Sequence, residues 1–184
     1  MEIKIRDAVK SDSQLIARVI AMAIGYDLAE DYAGDDVVKV LGEAAATEDA
    51  QYSYRNALVA EVDGEPAGAI VGYDGGSLKK LREASLAVIR KYHPGLEINE
   101  DETYSGEFYL DSIGVLPQYR GLGIATMLIN AMVDKEIDAG HKCFGLLVDF
   151  NNADAERLYV KLGFNYVGER PFFGHMMKHL QKRY

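Results

Sequence analysis

Gly121 and Gly123 stand two apart in LPQYRGLGIATML, between an apolar run and a segment with helical spacing. A helix N-terminus exposes unpaired amide groups and a partial positive charge, so it can bind an anion where no bulky Cβ blocks the approach. The glycines remove that obstruction and Arg120 adds a full charge beside them, so a phosphate suits this loop; close packing of helix on strand is the competing use. Four other positions could carry chemistry. Asp111 interrupts the strand alternation Tyr109, Asp111, Ile113, Val115, with Glu107 two residues before Tyr109. Tyr159 shares a helical stripe with Ala155, Leu158 and Leu162, and Asn152 stands where that helix begins. A carboxylate can take a proton from an amine, and a phenol can give one to a leaving group. In a purely structural role, Asp111 would pair with an arginine, Tyr159 would fill the core, and Asn152 would cap its helix.

The choice of phosphate narrows by comparison. No G-K-[ST] tripeptide is present, which argues against a P-loop. A dinucleotide loop G-x-G-x-x-G is interrupted by Thr126 and set back from its strand by Pro117 to Arg120, although Asp149 ends the next strand where a ribose-binding acid would belong. A nicotinamide-dependent oxidoreductase is therefore the weaker alternative. Gln118-Tyr119-Arg120-Gly121-Leu122-Gly123-Ile124-Ala125 instead matches the Q/R-x-x-G-x-G/A pattern of the GCN5-related N-acetyltransferase (GNAT) superfamily. A second stretch, Val148 to Phe164, resembles that family's V-x-x-x-N-x-x-A-x-x-L-Y-x-K-x-G-F segment. Together they resemble the family strongly over Glu107 to Lys178.

The resemblance implies a mixed, mostly antiparallel sheet of about seven strands flanked by helices. It implies that Gln118 to Ala125 hold the pyrophosphate of acetyl-CoA as co-substrate, with no metal, and that Asn152 also contacts it. Ile113, Gly114 and Val115 would line the pantetheine through their main chain. Tyr159 would lie near the sulfur as general acid, and Asp111 would serve as base, with Glu107 able to act through a water. The reaction implied is direct transfer of acetyl to a primary amine of a small molecule or peptide through a tetrahedral intermediate. A non-catalytic acyl-CoA sensor would share every cofactor motif.

Composition limits the partners. The net charge of -9 repels nucleic acid and anionic membranes and favours a cationic amine, for which the acidic stretch Glu97 to Glu102, with Asp27, Glu30 and Asp31, is a candidate border. The 184 residues fit one domain, no apolar run approaches a membrane span, and MEIKIRDAV resembles neither a signal nor a transit segment, so a cytoplasmic protein is expected. A homodimer is left open. Cys143 in CFGLLV reads as a small buried hydrophobe, and His175 and His179 have a ligand spacing only if helical, which their strand-like context opposes.

The elements that must position these residues follow from periodicity. Ile3 and Ile5 begin a strand; Ser11 to Gln14 offer a capping box for a helix bearing Leu15, Ile16, Val19, Ile20 and Ala23; a second helix is expected over Asp36 to Ala45. ALVAEV and AGAIVGY form a hairpin through Asp63-Gly64-Glu65-Pro66. An extra helix over Ser77 to Tyr92, between the third and fourth strands, presents Leu78, Leu81, Ser85, Val88, Ile89 and Tyr92 on one face. FYLDSIGV, the helix of Ile124, Met127, Leu128, Ala131 and Met132, and CFGLLV make a parallel crossover. The Tyr159 helix ends at Gly163, and FNYVG and FFGHMMKHL close the sheet.

Overall fold

Seven stretches form one sheet in the computed structural model, which describes residues 1–184: β1 (Ile3–Asp7), β2 (Ala57–Val62), β3 (Glu65–Asp74), β4 (Phe108–Val115), β5 (Cys143–Asp149), β6 (Asn165–Phe172) and β7 (His175–Arg183). In space they run β1-β2-β3-β4-β5-β7-β6, antiparallel except for β4 beside β5. The helices are α1 (Ser13–Ile24), α2 (Tyr26–Ala33), α3 (Val37–Ala45), α4 (Leu78–Ile89), α5 (Ile124–Asp138) and α6 (Ala153–Lys161). The mixed α/β class, the parallel crossover through α5 and the extra helix α4 between β3 and β4 agree with the sequence expectation.

Strand alternation sorts the side chains into two layers. Val59, Ala69 and Val71 pack with Ile16, Ile20 and Leu41 of α1 and α3, and Leu86 and Ile89 of α4 join them. On the other face Leu58, Ile70, Phe108, Leu110, Phe144 and Leu146 meet Ile124, Leu128, Ile129 and Met132 of α5. Asp63 and Gly64 both have positive φ, 50° and 86°, which is what a two-residue hairpin turn between β2 and β3 demands.

Four expectations change. Helix α2 was not expected; it lies between Gly25 and Gly34, which at φ 88° and 81° end one helix and the next, and it buries Ala29, Tyr32 and Ala33. No capping box forms at α1, because the Asp12 carboxylate is drawn back to the Val9 amide at 2.8 Å and to Arg6 at 2.7 Å. Tyr92 lies past the end of α4, exposed, with its hydroxyl donating to Glu43. The closing strands are longer than expected and meet at Phe173-Gly174, whose φ values of 47° and 77° make a second tight turn inside FFGHMMKHL, which the sequence pattern presents as one strand.

The fourth strand holds the fold's main irregularity. Val71 pairs with Ser112 but Gly72 pairs with Leu110, so Asp111 is an extra residue, a β-bulge. The expected alternation of Tyr109, Asp111, Ile113 and Val115 on one face therefore breaks. Ile113 and Val115 pack on the α5 layer with Phe108 and Leu110, whereas Tyr109 packs against Tyr73 and Leu78. A Cβ at Gly114 would meet Val19 and Met22 of α1.

Candidate active site

Only Phe108 and Tyr109 of β4 pair with β5, opposite Phe144 and Gly145; beyond them the two strands splay apart. The main-chain groups of β4 that would have bonded β5 are left facing the gap, where an extended ligand bearing amides can satisfy them. The resulting cleft of about 540 Å³ is lined by β4 from Leu110 to Val115, the glycine loop, β5 from Leu146 to Asp149, and α6. Met22 and Ala23 of α1 and Met177 of β7 also line it, and no local spacing in the sequence pointed to them.

Pro117 opens a single turn of 3-10 helix, Pro117–Tyr119, which brings the chain across the mouth of the cleft. Gly121 and Gly123 then adopt φ 80° and 77°, and Gly123 is the left-handed N-cap of α5. An added Cβ at either glycine meets nothing within 4 Å, so backbone conformation, not crowding, calls for glycine here. No side chain caps α5, so its first amides remain free at the cleft. Tyr119, Arg120, Gly121, Gly123, Ile124 and Ala125 line the cleft, with Thr126 added; Gln118 and Leu122 do not. Arg120 is held by its Nε donating to the Val115 carbonyl at 3.2 Å.

Across the cleft, Asn152 both lines it and caps α6, accepting from the Ala155 amide at 3.2 Å. Tyr159 also lines it, half-buried with its ring against Phe164. Burial pushes its phenol up to about 12, so it stays protonated at neutral pH. Asp111 faces the same cleft from the bulge. Its Oδ1 accepts from Tyr73 at 2.9 Å and from Gln51 at 3.3 Å, and its Oδ2 from Ser112 at 2.8 Å. Burial raises its pKa above the ordinary carboxylate value, and those hydrogen bonds and the Arg82 charge only partly offset the rise. Gln51 Nε2 also reaches Glu102 Oε1 at 2.7 Å, and Glu102 pairs with Arg82 on α4.

Glu107 lies elsewhere. It is fully buried behind β5, outside the lining of the cleft, and accepts from Thr103 at 2.7 Å, Gln181 at 2.7 Å and His179 at 2.9 Å. Burial raises its pKa, but those three bonds together outweigh burial and hold it below the usual range, which suits an acceptor of structural hydrogen bonds better than a base. A Cβ at Gly145 would collide with the Glu107 carboxylate. Gly145→Ala should therefore destabilise the protein by about 1–3 kcal/mol, read as a lower denaturation midpoint in urea. His175 and His179 lie in β7, and no cluster of three or more potential metal-binding side chains occurs. Cys143 is buried at the start of β5. Among the acidic residues expected to border an acceptor, Glu102 adjoins Asp111 through Gln51 and Tyr73, while Asp27, Glu30 and Asp31 are exposed on α2.

The chain is similar to known proteins. The sequence model of the acetyltransferase (GNAT) family matches residues 25–164. A thialysine N-epsilon-acetyltransferase of Sus scrofa is 32% identical over 165 residues, covering 86% of this chain and 82% of the relative. A crystal structure described as an acetyltransferase superposes with TM-score 0.82 at 35% identity over 98% of each chain. An N-acetyltransferase from Staphylococcus aureus Mu50 gives TM-score 0.83 at 28% identity, covering 97% of this chain and 100% of that one. With the splayed strands, the left-handed glycine cap and the α6 tyrosine in one cleft, this chain belongs to the GNAT family of acetyltransferases.

Proposed function

We propose that this protein transfers acetyl from acetyl-CoA to the terminal primary amine of a small cationic molecule. The observation that carries this reading is that a carboxylate, Asp111, and a phenol, Tyr159, line one cleft that ends at a glycine loop and the uncapped N-terminus of α5. Acetyl-CoA supplies the thioester. The free amides at the α5 N-terminus and Arg120 suit its pyrophosphate, and the unpaired edge of β4 suits its amide-bearing arm. An alkyl ammonium has a pKa near ~10.4, so a base is needed at neutral pH; Asp111, raised by burial, accepts that proton. A main-chain amide of β4 near Val115 stabilises the developing oxyanion. As nitrogen bonds to the acetyl carbon and the carbon–sulfur bond breaks, Tyr159 donates a hydrogen bond to the departing thiolate, which takes the proton held by Asp111, and the second proton of the nitrogen is lost to solvent.

A small acceptor is favoured because the Sus scrofa relative is named for acetylating the side-chain amine of an amino acid. The net charge of -9 further favours a cation. The test is thiol release from acetyl-CoA over a panel of thialysine, lysine, aliphatic diamines, an aminoglycoside and a peptide N-terminus. Release with the small amines, fastest for those bearing two cationic groups, is the expected result. Tight acetyl-CoA binding with no thiol released by any amine would instead establish an acyl-CoA sensor. Gly123→Ala forces a left-handed Cβ, which costs about 1–2 kcal/mol, so the affinity for acetyl-CoA should fall about tenfold by calorimetry.

A further inference from the structure

We propose that Arg82, on helix α4, is a positioning residue for acetyl transfer: acting through Glu102, Gln51 and Tyr73, it holds Asp111 ionised and turned toward the cleft. This rests on the reading of Asp111 as the base. It makes the helix between β3 and β4 part of the catalytic apparatus.

The geometry is a chain of donors pointing one way. The Arg82 side chain is only 8% exposed; it donates to the Glu100 carbonyl at 2.9 Å, pairs with Asp101 at 3.0 Å and takes Glu102 Oε2. Glu102 Oε1 is left to accept from Gln51 Nε2 at 2.7 Å. That bond orients the amide, whose second proton faces the Tyr73 hydroxyl at 2.8 Å and Asp111 at 3.3 Å. Tyr73 can then place its one proton on Asp111 at 2.9 Å, its shorter contact, in preference to Glu102 at 3.2 Å. Every hydrogen bond to Asp111 is thus donated to it, and it serves only as an acceptor.

The charged groups facing Asp111 are Glu102 from the loop after α4 and Arg82 from α4 itself. Tyr32 of α2, Tyr52, Tyr73 of β3 and Tyr109 of β4 surround the pair, and burial raises all four phenols so that they stay neutral. Without Arg82, Glu102 and Asp111 would be two buried carboxylates sharing the same two donors. Two buried carboxylates that share donors cannot both ionise readily, and one would take up a proton. Burial already raises Glu102, Arg82 lowers it, and the Asp111 charge raises it.

The test follows the side-chain carboxyl carbon of Asp111 by 13C NMR titration of the whole protein, assigned by its loss in Asp111→Asn. Arg82→Gln should move the midpoint up by about one unit and Glu102→Gln down by about one unit. Arg82→Lys, which keeps the charge, should restore most of the shift. The acid limb of kcat/KM, measured with thialysine or whichever panel amine reacts fastest, should move in the same directions. Opposite signs distinguish coupling from a merely structural pair, which would lower activity without moving either midpoint. Unmoved midpoints, or shifts of one sign in both variants, would overturn the proposal. Should Arg82→Gln fail to fold, Glu102→Gln alone must lower the midpoint, with Arg82→Lys near wild type. If Asp111→Asn keeps the wild-type pH profile, the base assignment fails and this proposal with it. Failure of this proposal alone shows as an acid limb lost in Asp111→Asn but unmoved by changes at Arg82 and Glu102.

Discussion

Asp111→Asn is expected to lower kcat about 10²- to 10⁴-fold at neutral pH while leaving acetyl-CoA affinity unchanged. The side chain is nearly isosteric, and it sits in the bulge of β4, away from the glycine loop. The pH dependence decides the matter. In the wild type, the rate falls as the pH drops through the pKa of Asp111, which burial has raised, because the protonated acid can accept nothing. In the variant that limb disappears. Its residual rate follows the free amine alone, rising about tenfold per pH unit toward the ammonium value of ~10.4. A variant that keeps the wild-type profile would remove Asp111 from the mechanism. Steady-state kinetics over the amine panel, with calorimetry for acetyl-CoA, measures both quantities.

Tyr159→Phe is expected to lower kcat about 10²-fold with acetyl-CoA affinity within about twofold of wild type. Burial is the one cause of the raised phenol, and its hydroxyl makes no hydrogen bond within the protein. Its loss therefore leaves the α6 packing against Phe164 intact, and the melting temperature should not change. A phenol at about 12 is a much weaker acid than a thiol near ~8.5. In the proposed mechanism it steadies the departing thiolate by a hydrogen bond, while the proton that reaches sulfur is the one Asp111 takes from the ammonium. The defect in Tyr159→Phe should accordingly be the same from about pH 6 to about pH 9, since the phenol does not titrate there. A defect that vanished at one end of that range would assign Tyr159 a full proton transfer instead.

Legibility in the sequence followed locality. The glycine loop, Asn152 and Tyr159 could be read because each depends on neighbours within one turn or one helix. The order of strands and helices was readable for the same reason, since periodicity and Asp-Gly turns are local. Helix α2 escaped because it is short and acidic, and its two flanking glycines are its only strong marks. The turn at Phe173-Gly174 escaped because a phenylalanine with φ 47° is held there by tertiary contact, its ring 5.5 Å from Tyr32. The face assignment in β4 failed because the one trace of the bulge, the shift of apolar positions from Phe108 and Leu110 to Ile113 and Val115, also fits an unbroken strand with Asp111 on the face of Tyr109. Gln51, Tyr73, Arg82 and Glu102 were silent as partners of Asp111: they come from a loop, a strand, a helix and another loop, and only folding brings them together. A single local hint existed, an arginine on the apolar side of α4 between Leu78 and Leu86.

Deleting Asp111 would leave Phe108, Leu110, Ile113 and Val115 in strict alternation, all on the α5 layer where they already lie. The strand is complete without it. Scaffold and cleft lining in β4 are thus written in separate letters: the sheet is spelled by the residues on either side, and the carboxylate that faces the cleft is spliced between them as a surplus character. A chain of this design can exchange that one letter, for asparagine, glutamate or serine, and try new reactions in the cleft without respelling the sheet that holds it open.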